Sequence, residues 1–68
     1  MEFHERLVIL RKERKETQVQ LAESIGIASR SLQELESGRV RPQYETLMSL
    51  ADHFNVSLDY LTGRTDER

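Results

Sequence analysis

The sequence contains no cysteine. A disulfide framework, a thiolate metal site and a cysteine nucleophile are thereby excluded, and nothing in the chain demands an oxidising compartment. Long apolar runs are missing too. The longest aliphatic stretch, Leu7 to Leu10, is four residues, against the roughly 20 that span a bilayer and the roughly 7 to 15 of a signal-peptide core. A cytoplasmic location with no membrane partner is therefore expected. Low-complexity tracts and repeats of solenoid length are absent. So is a strong excess of either charge: ten Lys and Arg against twelve Asp and Glu leave −2. That balance argues against a nonspecific nucleic-acid coat and does not forbid a local basic face. The 68 residues leave room for one small domain, 1–68, which buries only about 60% of the surface its unfolded chain exposes. Most small catalytic architectures do not fit into it.

What is present is helical periodicity. Residues 3–15 read as a helix, because Phe3, Leu7, Leu10 and Arg14 share one face while Glu2, Glu5, Lys12 and Glu13 lie off it. Thr17 supplies an N-cap oxygen to a second helix, 18–25, and Gly26 ends it with a sharp turn. A third helix runs from Ala28 or Ser29 to Ser37, with Leu32 and Leu35 inward and Gly38 as its stop. At about 100° per residue, Arg30, Gln33, Glu34 and Ser37 fall opposite Leu32, so that face is wholly polar. Pro42 sits near the start of a fourth helix reaching Phe54, whose inward stripe is Tyr44, Leu47, Leu50, Ala51 and Phe54. Asn55 closes it, and Ser57 caps a last short helix containing Leu58 and Leu61 before Gly63. No stretch alternates with period two for long enough to make a strand. The expected fold is all-α, a compact bundle of five short helices with a frayed tail over 64–68.

The centre of the chain, residues 18–37, places two helices about a glycine-containing turn of roughly three residues. Counted from Gln18, apolar residues stand at places 4, 8, 10, 15 and 18 (Leu21, Ile25, Ile27, Leu32, Leu35), and small ones, Ala22 and Gly26, at places 5 and 9. Two helices crossing steeply need a small side chain at the crossing and a permissive residue in the turn. This pattern is more demanding than amphipathicity.

On these residues the chain resembles the Cro/CI-type (XRE-type) helix-turn-helix domains of the lambda-repressor-like fold. The likeness runs from "RLVILRKERKETQVQLAESIGI" through "LQELESGRVRP" to "ETLMSLADHFNVSLDYLTG". It implies that the third helix enters the DNA major groove. It further implies base reading from Ser29, Arg30, Gln33 and Glu34. Arg30 offers a bidentate pair to guanine, worth roughly 1 to 3 kcal/mol of discrimination; its alternative is a solvated charge or an i, i+4 partner for Glu34. Gln33 would read adenine or meet a phosphate oxygen. Glu34 must either accept from a cytosine amino group or be neutralised by Arg30, and acts mostly as a filter against wrong sequences.

Phosphate contacts are implied for Gln18, Ser31, Ser37, Arg39, Arg41, Gln43 and Tyr44, with Gln18 also bracing the third helix and Tyr44 keeping its ring in the core. The chain departs from the family at Ser37, where asparagine is common, and at Ala28, where a capping hydroxyl is usual. Arg11 and Glu36 match positions that form a partly buried ion pair, which implies a structural role for both. Dimer contacts would involve the fifth helix around Val56, Leu58 and Tyr60, unless these residues finish the monomer core.

Enzyme readings lack their residues. His4-Glu5 begins an H-E-x-x-H pattern, but Val8 stands where the second histidine is needed. His4 and His53 read as surface or boundary residues. No metal, cofactor or small-molecule ligand is expected. The function expected is sequence-specific regulation of transcription, a repressor binding a palindromic double-stranded DNA operator as a homodimer. The alternative is a protein-interaction module of the same fold, an antitoxin or adaptor. By region, residues 1–16 carry +1, 17–37 carry −2, 38–45 carry +1 and 46–68 carry −2. The acids of the last region belong to segments that the resemblance turns away from DNA.

Overall fold

Every helix contributes one leucine that is wholly withdrawn from solvent. These are Leu7, Leu21, Leu32, Leu50 and Leu61, and they sit in turn on α1 (Phe3–Glu13), α2 (Gln18–Ile25), α3 (Ser29–Ser37), α4 (Tyr44–Phe54) and α5 (Leu58–Leu61). The computed structural model describes all residues, Met1–Arg68. Around the leucines pack Leu10, Ala22, Leu35, Ala51, Phe54 and Tyr60, with Phe3, Ile25, Ile27, Leu47 and Val56 at the margin. Ala22 is 1% exposed, a small side chain where α2 and α3 pack against each other.

Local chemistry sets the helix ends. The Thr17 hydroxyl accepts from the Gln20 amide at 3.0 Å while the Gln20 side chain accepts from the Thr17 amide at 2.8 Å, a reciprocal box that starts α2. Ser57 caps α5 in the same sense, its hydroxyl accepting from the Tyr60 amide at 3.0 Å. Three helices stop with one left-handed residue followed by an amide that reaches back five positions. Gly26 (φ 79°) and Asn55 (φ 55°) serve α2 and α4, and the closing bonds are Ile27 to the Ala22 carbonyl and Val56 to the Ala51 carbonyl, both 3.0 Å. The third is Lys15 (φ 58°), after which the Glu16 amide reaches the Arg11 carbonyl at 3.2 Å.

That third closure corrects the expected end of α1. The helix stops at Glu13, not Lys15, because Lys15 turns left-handed. Arg14 accordingly leaves the inward face and is exposed, its guanidinium 5.6 Å from the Phe54 ring centroid. Tyr44 is a second correction: it is 68% exposed, not part of the inward stripe. It is the first residue of α4 and lies about 70° from the centre of the face formed by Leu47, Leu50, Ala51 and Phe54. Neither α3 nor the preceding loop covers its ring.

The tail is a third correction, since residues 64–68 fold back on the bundle instead of fraying. Arg6 of α1 is a charged side chain in the interior, 4% exposed. Its guanidinium lies 3.8 Å from the Tyr60 ring centroid and donates to Asp66 Oδ1 at 3.1 Å. Arg68 donates to both carboxylate oxygens of Glu13, at 2.9 and 2.8 Å, and its carbonyl accepts from the Ser57 amide at 3.2 Å. A buried guanidinium needs an anionic partner, and the tail brings one. Tyr60 thus belongs to the monomer core, 6% exposed, and Val56 packs at its margin. Of the three residues considered for a dimer contact, Leu58 alone is exposed, at 37%.

Candidate nucleic-acid interface

The outward face of α3 follows from its own register. Leu32 and Leu35 point inward, which turns Arg30, Gln33, Glu34 and Ser37 to solvent, with Ser29 half-buried at the helix start. Together with Arg39 these residues line one concave surface that contains no apolar side chain. Beside it a groove of about 240 Å³ runs between α3 and the start of α4. Ile27 and Leu35 form its floor, and Ser31, Glu34, Arg41 and Gln43 its polar rim. The structure therefore brings the candidate base-reading and phosphate residues of α3, the loop and the α4 start onto one side of the molecule. Tyr44 adds an exposed ring and hydroxyl next to Gln43. Between Arg39 and Arg41 stands Val40, 43% exposed, to which sequence reasoning assigned nothing.

This surface is held from behind by a polar network centred on Glu36. Arg11 donates to the Glu36 carboxylate through Nε at 2.7 Å and Nη2 at 3.1 Å, and Gln18 donates through Nε2 at 2.9 Å. The two charged side chains are 13% and 7% exposed. One carboxylate thus joins α1, α2 and α3. Arg11 also donates to the Glu16 carbonyl at 2.9 Å, and Glu16 Oε2 lies 2.7 Å from His53 Nε2 on α4. His53 is a boundary residue, 20% exposed, but its bond to Glu16 has no signal in the sequence, because the two are 37 positions apart. Gln18 keeps one amide N–H free for an outside acceptor.

The available donors are unequal. Arg30 is 88% exposed and its Nε stands 3.9 Å from Glu34 Oε1, a loose i, i+4 pair worth a few tenths of a kcal/mol at most. Arg39 and Arg41 make no ion pair and are exposed. Ser31 is exposed with an uncommitted hydroxyl. Ser37 is different: its single hydroxyl proton goes to the Glu34 carbonyl at 2.6 Å, and its oxygen accepts from the Arg39 amide at 3.3 Å. It closes the α3 C-terminus and has no donor to spare. His4 is half-buried beneath the same turn, and a Cβ added at Gly38 (φ 80°) would come within 3.0 Å of its ring. Gly38 was legible in the sequence as the stop of α3; its neighbour was not.

Comparison with known proteins agrees with the fold. A family model described as helix-turn-helix matches residues 7–61. The chain is 44% identical over 69 aligned positions to the cryptic phage CTXphi transcriptional repressor RstR of Vibrio cholerae, covering 98% of this chain and 62% of that protein. It thus spans less than two thirds of that relative's length. Among solved structures, a transcriptional regulator from Listeria innocua superposes with a TM-score of 0.87 at 34% identity, over 98% of this chain and 63% of that one. The DNA-binding domain of the P22 C2 repressor superposes with a TM-score of 0.85 at 26% identity, over 100% of this chain and 92% of that one. With five helices, a buried leucine on each and a polar third helix, the chain belongs to the helix-turn-helix family of the Cro/CI (XRE) type.

Proposed function

We propose that this chain is a sequence-specific DNA-binding unit of a cytoplasmic transcriptional regulator, a repressor that occupies a palindromic operator as a homodimer. The observation that carries the reading is the wholly polar α3 face with unpaired arginines beyond it at Arg39 and Arg41. The RstR relative is named a transcriptional repressor, and the P22 C2 neighbour a DNA-binding domain. In this reading α3 lies in the major groove. Ser29, Arg30, Gln33 and Glu34 meet base edges, and two α3 helices sit about 34 Å apart. Gln18, Ser31, Arg39, Arg41, Gln43 and Tyr44 meet phosphates, which set position without reading sequence. Ser37, with its proton committed, is left out of that set. Dimer contacts fall at the exposed α5 edge around Leu58. No helix is long and apolar enough to cross a membrane.

A mild total charge gives modest nonspecific affinity, so tight binding depends on two reading heads acting together. The test is selection of random-sequence duplexes by the folded chain at fixed salt, followed by sequencing. Enrichment of a motif with two-fold symmetry supports the reading. Failure of the folded protein to enrich any motif refutes it.

A further inference from the structure

Glu34 is an anomaly on a surface meant for a polyanion. The exposed face of α3 carries one cation, Arg30, and one anion, Glu34, so the helix brings no net charge into a groove lined by phosphates. Within the protein the carboxylate is only weakly paired. Arg30 Nε stands 3.9 Å away, no side-chain or backbone donor hydrogen-bonds to its oxygens, and its side chain is 48% exposed. The local bond at this residue uses the Glu34 backbone carbonyl, which accepts from Ser37. A carboxylate entering the groove in this state loses water and gains phosphate repulsion unless the DNA supplies a donor.

Resting on the reading of α3 as the base-reading helix, we infer that Glu34 is a cytosine-selecting specificity residue that also suppresses binding to other sequences. In the major groove cytosine presents only a donor, its N4 amino group, whereas adenine pairs its amino group with the N7 acceptor, which repels a carboxylate. Guanine and thymine present acceptors. An anion with two acceptor oxygens therefore matches cytosine and opposes the other three bases. Position also matters. Residues 30 and 34 are about 6 Å apart along the helix axis, and base pairs stack about 3.4 Å apart. The base read by Glu34 lies within two base pairs of the guanine read by Arg30. The loose separation of the pair leaves the terminal nitrogens of Arg30 free for that guanine.

The experiment is parallel selection of random duplexes by the wild-type chain, Glu34→Gln and Arg30→Ala, with nonspecific affinity measured on a fixed duplex lacking the motif at about 0.1 M salt. Glutamine keeps the shape of glutamate, removes the charge and pairs bidentately with adenine. Glu34→Gln is expected to change one motif position from cytosine to adenine by about tenfold in preference. That position should lie within two base pairs of the one relaxed by Arg30→Ala, and nonspecific binding should tighten on the order of threefold. A half-exposed carboxylate without hydrogen bonds leaves the fold unaffected, which an unchanged Tm verifies. A wild-type motif reproduced by Glu34→Gln, with or without tighter nonspecific binding, overturns cytosine selection while leaving operator binding intact. A wild-type chain that enriches nothing overturns both.

Discussion

Glu36→Ala tests whether the three-helix junction holds the fold. The Glu36 carboxylate is 7% exposed and accepts two bonds from Arg11 and one from Gln18. Its removal leaves a guanidinium, 13% exposed, with the Glu16 carbonyl as its sole remaining protein partner. Breaking a buried pair from one side costs about 3 to 5 kcal/mol, most of it the stranded charge. The surviving carbonyl bond and partial hydration place this case near 3. A domain of this size has a total stability of about 3 to 10 kcal/mol, so the variant keeps little or none of it. At about 4 °C or more per kcal/mol, Tm falls by at least about 12 °C. The assay is urea and thermal unfolding followed by circular dichroism, with a companion variant carrying both Arg11→Met and Glu36→Leu. If the stranded charge is the cause, the double variant recovers most of the loss, since no unpaired ion remains and the space is refilled. A loss below about 1 kcal/mol in Glu36→Ala, or a double variant as unstable as the single one, would refute the reasoning.

Arg30→Ala relaxes the preference at one or two base positions, whereas Arg41→Ala weakens all sequences alike and lowers the salt slope by about 1; equal effects of both in binding measured over a salt series would refute the division of roles. Leu32→Ala empties a fully buried site on α3 and lowers unfolding free energy by about 2 to 5 kcal/mol in urea titration. Gly26→Ala costs about 1 to 2 kcal/mol from its left-handed backbone alone, because nothing lies within 4 Å of the added Cβ. Gly38→Ala costs more, since its Cβ also meets the His4 ring at 3.0 Å; equal Tm losses would contradict that contact. The two bonds from Arg68 hold the Glu13 carboxyl below the usual glutamate range. A lowered folded-state pKa means that this contact stabilises the fold above the ordinary glutamate value and is lost as pH falls through the depressed one. Carboxyl titration by NMR should show the depression in the wild type and its disappearance in Arg68→Ala.

Much of the architecture was legible because it is encoded within a few residues. Thr17, Gly26, Asn55 and Ser57 act on amides and carbonyls of the adjacent turn, so their identities alone announced where helices begin and end. The polar face of α3 was equally plain, since a helix with Leu32 and Leu35 inward has one possible outward side. Lys15 escaped notice because a lysine carries no mark of a left-handed residue. Tyr44 looked apolar by composition, and its exposure depends on which neighbours reach the first turn of α4.

The sequence by itself determined the number and order of the helices, all their ends but that of α1, the inward leucines and the family, because each rests on spacing that one chain segment carries. Tertiary structure decided what residues far apart do to one another. Arg6 meets Tyr60 and Asp66 in the interior, and Glu13 binds a tail 55 positions away. Likewise Arg30 and Glu34 were recognisable as possible partners one turn apart, but their 3.9 Å separation makes the pair loose and leaves the carboxylate without a hydrogen bond. Charge pairing depends on side-chain geometry at the scale of a single ångström, and that scale is settled by packing.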